Sequence, residues 1–304
     1  SSAKQAIAAV LGAKYRVRAS PKNFNTETGL PLSILDLPAP GHSPVRWLSV
    51  LAKGAKRALF GMKGGMREYP ETLVLEMGAD RPGDIARLVA IAPPKIGVVT
   101  AVAESHAEFF GSVDAIVKEK RVLVESLPKD GLAVLNRDDE RVWAMRAQSQ
   151  APVVSFGFSS EAGVRALEES LSYSFSAEGG SAFHGEGEEC GTHVKITDGG
   201  ATVPLFLPGG LGRSHVLSAL AAAAVGLKRG MHLIEIGDAL RNYAPPPGRM
   251  RCLSGIKRTV LIDDTYNAAP ASCLVALETL HDLRLTEGAK RIAVRGDMLE
   301  LGPS

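Results

Sequence analysis

The sequence predicts an α/β protein: a central parallel-sheet domain with appended antiparallel hairpins, followed by the start of a second α/β unit. Three observations predict it. Short β-branched apolar runs alternate with helical patterns between residues 72 and 157. The pattern then changes to polar/apolar alternation over 163–207, with Gly179-Gly180 and Gly199-Gly200 as turn signals. Finally, the stretch APPPGRMR (244–251) separates off a fresh strand–helix–strand pattern. Near-continuous apolar strands between helices mean a parallel sheet covered on both faces. Alternation means half-exposed hairpin strands, and three prolines in a row cannot continue a helix.

In chain order, SSAKQAIAAVLG reads as a helix with Gly12 as its stop. No strand precedes it, so the chain is expected to open inside a domain. SPKNFNTETGLPLSIL is a polar segment followed by an apolar helix or strand start. TLVLEMG (72–78), IGVVT (96–100), LAVLN (132–136) and PVVSFG (152–157) read as strands. PGDIARLVAIA and SVDAIVKEKRVLVESL read as the helices between them, the second capped by Ser112. After the hairpins, SHVLSALAAAAVGLKRG is a buried helix; its apolar run Leu217–Leu227 is too short to span a bilayer. LIEIGDALRNY is another helix. Beyond the prolines come the strand VLIDD, a helix with Leu274, Leu277 and Leu280 in register, and the strand RIAVRGDMLELG. Two strands and a helix cannot bury a core alone, so the second domain reads as incomplete. There is no repeat or low-complexity tract.

A length of 304 residues suggests about two domains. With 45% apolar and 22% charged residues the chain can form a packed core. The formal net charge is +2 and no basic run occurs, which argues against nucleic acid as a partner. Cys190, Cys252 and Cys273 show neither CxxC spacing nor a pairing pattern. That fits a reducing cytoplasm and argues against structural zinc. No signal peptide is evident. A cytoplasmic monomer is the expectation.

Open α/β sheets bind ligands beyond the carboxyl ends of their strands. Polar residues collect there: Glu76; His106; Asn136, Asp138 and Asp139; Asp263 and Asp264; Asp297. Each alone could be a helix cap or a solvated loop residue. Carboxylates at so many strand ends together suggest a site that gathers cations. Lys118 and Lys120 sit on a helical face that is exposed by default. Asn23, Asn25, Thr26 and Thr28, before Gly29, form either a plain polar turn or a substrate loop.

Taken together, KNFNTETGLPLSIL, LVLEMGADRPGDIARL, SHAEFFGSVDAIVKEK, DGLAVLNRDDERV, PGGLGRSHVLSALAAAA, PPGRM, LIDDTYNAAPASCLVALETL and VRGDMLELG resemble the Mur ligase family, in the family's order and over nearly the whole chain. IDDTYNAAP and GDMLELG are most similar to the type that adds D-alanyl-D-alanine to a UDP-N-acetylmuramoyl tripeptide. The resemblance implies a central P-loop-type ATPase domain over 1–246 and the beginning of a Rossmann-like C-terminal domain over 247–304. It implies a cytoplasmic ligase of peptidoglycan precursor synthesis that uses ATP and two Mg²⁺ ions. ATP would phosphorylate the acceptor carboxylate, and the incoming amine would then displace phosphate from the acyl phosphate. Such chemistry needs positioned cations more than protein nucleophiles, which accounts for the strand-end carboxylates.

By position, Glu76 corresponds to a magnesium ligand, and His106 to the ligand of a second magnesium. Lys120 corresponds to a lysine that the family carbamylates. Arg249 corresponds to an arginine that reaches the nucleotide phosphates across the domain boundary. Asp263 or Asp264 falls near the ribose, with Tyr266 and Asn267 completing that wall. Asn136 and His215 fall on further nucleotide positions, and Asn23, Asn25 and Thr26 face the muramyl peptide. Ser1 corresponds to the last hydroxyl residue of the phosphate loop, placed on magnesium; the glycine-rich part of that loop is not in the sequence, so this chain is expected to bind ATP poorly. Other departures are Ser214-His215 where the family has His-Asn, Ser218 and Ala269 at positions usually Asn, and Ala101 after the strand IGVVT, where the family often has Asn. A sister ligase adding a single amino acid, such as the tripeptide-forming enzyme or folylpolyglutamate synthetase, is the alternative. So is a catalytically dead binding relative, against which the retention of Glu76, His106 and Lys120 argues.

Overall fold

The structure, a computed structural model, describes the chain except residues 22–23, 61–68, 103–109, 175–189, 257–258, 284, 286–287 and 299–304. His106 and Asn23 therefore lie outside the described residues.

A six-stranded sheet organises the molecule. Its order is β3 (Ile96–Val99), β4 (Leu132–Asn136), β5 (Val153–Gly157), β6 (Val164–Ser174), β7 (Gly191–Thr197) and β8 (Thr202–Pro208). The first four strands run parallel and the last three pair antiparallel, as the change from continuous to alternating apolarity predicts. All five residues of β4 are buried, as befits the middle of a parallel sheet covered on both faces. In β7 burial alternates, with His193 and Lys195 turned outward.

Helix α1 (Ser2–Gly12) and helix α7 (Arg213–Lys228) cover one face. The alanine run of α7 is buried on all sides, and its small side chains let neighbouring backbones approach. Gly226 shows how close: a Cβ there would lie 2.8 Å from Val10 Cγ1 of α1 and 3.0 Å from Ile236 Cδ1. Ile236 belongs to α8 (Leu233–Leu240). The other face carries α4 (Asp84–Ile91), α5 (Val113–Glu125) and α6 (Glu140–Ala144).

Two short strands stand apart. β1 (Val17–Ala19) pairs in parallel with β2 (Thr72–Val74). At three residues, β1 is too short to carry a periodic signal and is not anticipated by the sequence. Nor is the helix α3 (Pro44–Phe60), whereas the apolar stretch after Thr28 resolves as a helix, α2 (Gly29–Ile34).

Beyond the prolines, β9 (Arg251–Ser254) and β10 (Val260–Asp263) form an antiparallel pair, followed by α9 (Pro270–Asp282). The expected strand RIAVRGDMLELG is not formed in its described part: residues 291–298 are in no strand, and Ile292 and Val294 are 76% and 93% exposed. A strand needs a hydrogen-bonding neighbour, and none lies beside it among the described residues.

The cysteine expectation is overturned. Cys190, at the edge of β7, and Cys252, in β9, form a disulfide, their Cα atoms 6.4 Å apart and 62 residues apart in sequence. Local spacing cannot show such a pair; the topology brings it together. The backbone does the same work alongside: Cys252 N donates to Gly209 O at 2.8 Å and Leu211 N to Met250 O at 3.0 Å. Cys190, Leu211, Met250 and Cys252 form a small apolar cluster with Val260 and Ile262. Cys273 is free. Among the described residues, no helix is long and apolar enough to cross a membrane.

Candidate active site

Glu76 lies two residues beyond β2, opposite the N-terminus of α1. Ser1 Oγ donates to both its carboxylate oxygens, at 3.1 and 3.2 Å, and Lys4 Nζ stands 3.0 Å from Oε2. Burial by itself would raise the Glu76 carboxyl. The positive charge of Lys4 and the hydrogen bonds from Lys4 and Ser1 act against this and favour the ionised form. The N-terminal end of α1 adds its partial positive charge. The result is an ionised carboxylate and a hydroxyl, side by side, at a helix N-terminus.

The polar loop before α2 crosses this strand end. Asn25 O accepts from Gly78 N at 2.8 Å, two residues past Glu76. A Cβ at Gly78 would meet Asn25 Nδ2 at 2.9 Å, so the glycine permits the crossing. Thr26 uses its hydroxyl locally, accepting from Gly29 N at 3.2 Å at the start of α2.

At the ends of β3 and β4, the amide of Asn136 is spent internally: Nδ2 donates to Thr100 O at 2.8 Å and Oδ1 accepts from Asp138 N at 3.0 Å. Asp138 accepts from Phe158 N and Ser159 N. Asp139 caps α6 and takes Val102 N at 2.8 Å. These two acids hold loops, so the capping reading wins for them. Lys120, half-buried on α5, donates to Ala101 O at 2.7 Å. Burial lowers its pKa, and the charge of Asp139 partly opposes this. Ser112 caps α5 as expected. Among the described residues no group of three or more His, Cys, Asp or Glu side chains is gathered.

Sequence reasoning missed Glu119. It is buried one residue from Lys120 and accepts from Gly83 N at 2.8 Å and Ile85 N at 2.7 Å, capping α4 from a neighbouring helix. The available sign was that α4 starts at Gly83-Asp84 with no cap of its own.

The second wall comes from the junction. Gly248 and Met250 have φ of 71° and 46°, and between them Arg249 lays its guanidinium over the Tyr266 ring, 3.9 Å from its centroid. Asp263 accepts from Gly248 N at 2.9 Å and from Thr265 Oγ1 at 2.6 Å, and chiefly the Thr265 hydroxyl lowers its pKa. Asp264 accepts from Met250 N at 3.1 Å, and burial raises its pKa. Asn267 is exposed and accepts from Ala268 N. The two walls lie near each other: Arg249 is close enough to Ser1 to act on it electrostatically. Asp297 lies exposed in the strandless 291–298 segment.

Residues 60–226 match the Mur ligase middle domain. This chain belongs to the Mur ligase family. One relative, the UDP-N-acetylmuramoyl-tripeptide–D-alanyl-D-alanine ligase of Mycobacterium leprae, is 32% identical over 99% of the chain and 54% of its own length. The fold is that of MurF from Acinetobacter baumannii, with a TM-score of 0.75 at 21% identity over 99% of this chain and 55% of that one. MurF ligase from Thermotoga maritima, solved in complex with ADP, gives a TM-score of 0.70 at 25% identity, over 99% of this chain and 58% of that one. The chain thus spans about half the length of the relatives it matches.

Within this Mur ligase chain, one expected nucleotide contact needs correction. His215 is 1% exposed, and both ring nitrogens are engaged: Nδ1 with Tyr243 OH and Nε2 with Arg249 O, each at 2.7 Å. No ring nitrogen is left for a ligand. Ser218 likewise turns inward, donating to Ser214 O at 2.9 Å.

Proposed function

We propose that this Mur ligase chain supplies the ATP-handling centre of an amide ligase. The enzyme would join D-alanyl-D-alanine to a UDP-N-acetylmuramoyl tripeptide through an acyl phosphate. The observation that carries the reading is the pairing of Ser1 and Glu76 at the N-terminus of α1, with Arg249 of the junction brought to the same place.

The donor set suits magnesium: a hydroxyl and an ionised carboxylate are hard oxygen ligands on a partly open strand end. Ser1 and Glu76 would hold the ion, and Lys120 with His106 a second one. Bound magnesium supplies charge neutralisation on the transferring phosphoryl group. The protein's own contribution is placement. The α1 N-terminus offers N–H groups to phosphate. Arg249, stiffened by its stack on Tyr266, offers charge-assisted hydrogen bonds to the nucleotide. Asp264 and Tyr266 hold the same turn, through Met250 N and the Arg249 guanidinium. The acceptor carboxylate takes the γ-phosphoryl group and ADP leaves; the amine attacks the acyl carbon, loses a proton, and phosphate departs.

Lys120 fits the carbamylation implied by the family. A carbamate forms when a neutral amine attacks CO₂, making an N–C bond and releasing a proton. Burial lowers the Lys120 pKa, which increases the neutral fraction. The loop around Asn25 supports an acceptor site, since it lies against the strand end that carries Glu76.

The test is magnesium-dependent phosphate release by the complete gene product, given UDP-muramyl tripeptide and either D-alanyl-D-alanine or single amino acids. Turnover with the dipeptide is expected. Turnover only with meso-diaminopimelate, lysine or glutamate would overturn the substrate assignment and move the chain to a sister ligase.

A further inference from the structure

We infer that His215 is a positioning residue for Arg249: a one-way hydrogen-bond chain, Tyr243 to His215 to the Arg249 carbonyl, fixes the junction turn that presents the guanidinium.

The direction of the chain follows from what each group can do. The Arg249 carbonyl can only accept, so His215 Nε2 carries the hydrogen and donates at 2.7 Å. Nδ1 then holds a lone pair, and Tyr243 OH donates to it, also at 2.7 Å. The chain therefore runs from Tyr243, just past α8, through the buried imidazole to the backbone of the junction turn.

The turn needs such support. Met250 adopts a left-handed conformation with φ of 46°, unusual for a side chain of its kind. Consecutive carbonyls are held from the central domain: that of Arg249 by His215 and that of Met250 by Leu211 N at 3.0 Å. The neighbouring N–H groups are held by Asp263 and Asp264. The ring has a fitted seat, since a Cβ at Gly210 would stand 2.9 Å from His215 Cγ. Burial also depresses the imidazole to about 4, so the neutral tautomer persists at ordinary pH.

The catalytic consequence rests on Arg249 serving the nucleotide as proposed above; the tautomer and the turn do not. The experiment separates them, using the complete gene product. In ¹⁵N-histidine spectra, one histidine should show the Nε2–H tautomer and stay neutral from about pH 8 down to about pH 5. An Nδ1–H signal, or titration of that histidine in this range, would overturn the chain. In turnover, His215→Gln keeps an N–H for the carbonyl and an acceptor for Tyr243. It should hold the KM for ATP within about 3-fold, whereas folded His215→Leu should raise it about 10-fold, the scale of one lost buried hydrogen bond. Met250→Gly added to His215→Leu should recover part of that loss, because glycine accepts the left-handed turn freely. A KM in His215→Leu within about 2-fold of the parent would overturn the positioning role. If the parent turns over no ATP, the spectra and the amide exchange of Leu211 still decide whether His215 holds the turn.

Discussion

Strand β4 and the junction turn 247–251 keep their backbones in place by opposite means. In β4 all five residues are buried, and the backbone is laddered to β3 on one side and β5 on the other. Any apolar residue of suitable size would serve there. The turn has two left-handed residues in place of a ladder, and individual groups hold it: Asp263 on Gly248 N, Asp264 on Met250 N, His215 on Arg249 O, and the Cys190–Cys252 disulfide one residue further on. Stability is diffuse in the first region and itemised in the second. A site assembled at the junction can therefore lose geometry through a single substitution that leaves the sheet intact.

The largest expected effect tests that separation directly. Glu76→Ala in the complete enzyme should lower kcat/KM about 1,000-fold, the scale of several kcal/mol of lost charge stabilisation. Its unfolding midpoint in denaturant should move little, because Glu76 sits at a partly open strand end. Leu135→Ala, a fully buried residue of β4, should do the reverse. It should cost about 3 kcal/mol of stability with kcat/KM per folded molecule unchanged. Equal activity losses in the two variants would show that sheet and site are not separable.

The same contrast explains what the sequence could show. The strands of the α/β repeat, the hairpins and the long buried helix announce themselves by periodicity, and PPPG marks the junction. Local motifs single out Glu76, Arg249 and Tyr266 as site candidates. What stayed hidden depends on pairs far apart in sequence: Glu119 capping α4 from the next helix, Cys190 with Cys252, and His215 reaching Arg249. No window of neighbouring residues encodes those partners. His215 was misread for the same reason. A histidine at a nucleotide motif suggests a ligand contact until its two partners are known.

A second effect, of intermediate size, concerns the staple. Of this chain's three cysteines, Cys273 alone should react in the folded, unreduced protein, and all three only after reduction. Reduction, or Cys252→Ala, should cost about 4 kcal/mol in the loop-entropy picture for a loop of this length. Hydrogen exchange should rise first in β9 and β10 and leave β4 protected. Persistent disulfides are rare in a reducing cytoplasm, so the thiol count matters: three reactive thiols in the unreduced folded protein would remove the staple, leaving hydrogen bonds and the small apolar cluster to hold the turn.

The smallest effect is one of acid, and it falls on the junction alone. His215 is neutral when folded, with its pKa lowered to about 4, mainly by burial. In the unfolded chain it returns to the ordinary value of about 6.5. The unfolded state thus takes up the proton first as pH falls. The sign follows: this contribution to stability is fully present above about pH 6.5 and is lost progressively toward about pH 4. Across the first one and a half units, to about pH 5, the loss should approach about 2 kcal/mol, at 1.36 kcal/mol per unit. The groups against the ring are the Tyr243 hydroxyl, the Arg249 and Met250 backbone and Gly210. Asp264, whose pKa burial raises, pulls the opposite way as it protonates, so total stability alone does not isolate the histidine. The difference between parent and His215→Gln does, because glutamine does not titrate. Denaturant unfolding of both proteins at pH 7, 6 and 5 should show the parent losing more stability than the variant over that range. Parallel curves would mean that His215 either titrates normally in the folded state or is not buried against the turn, and the one-way chain to Arg249 would fall with it.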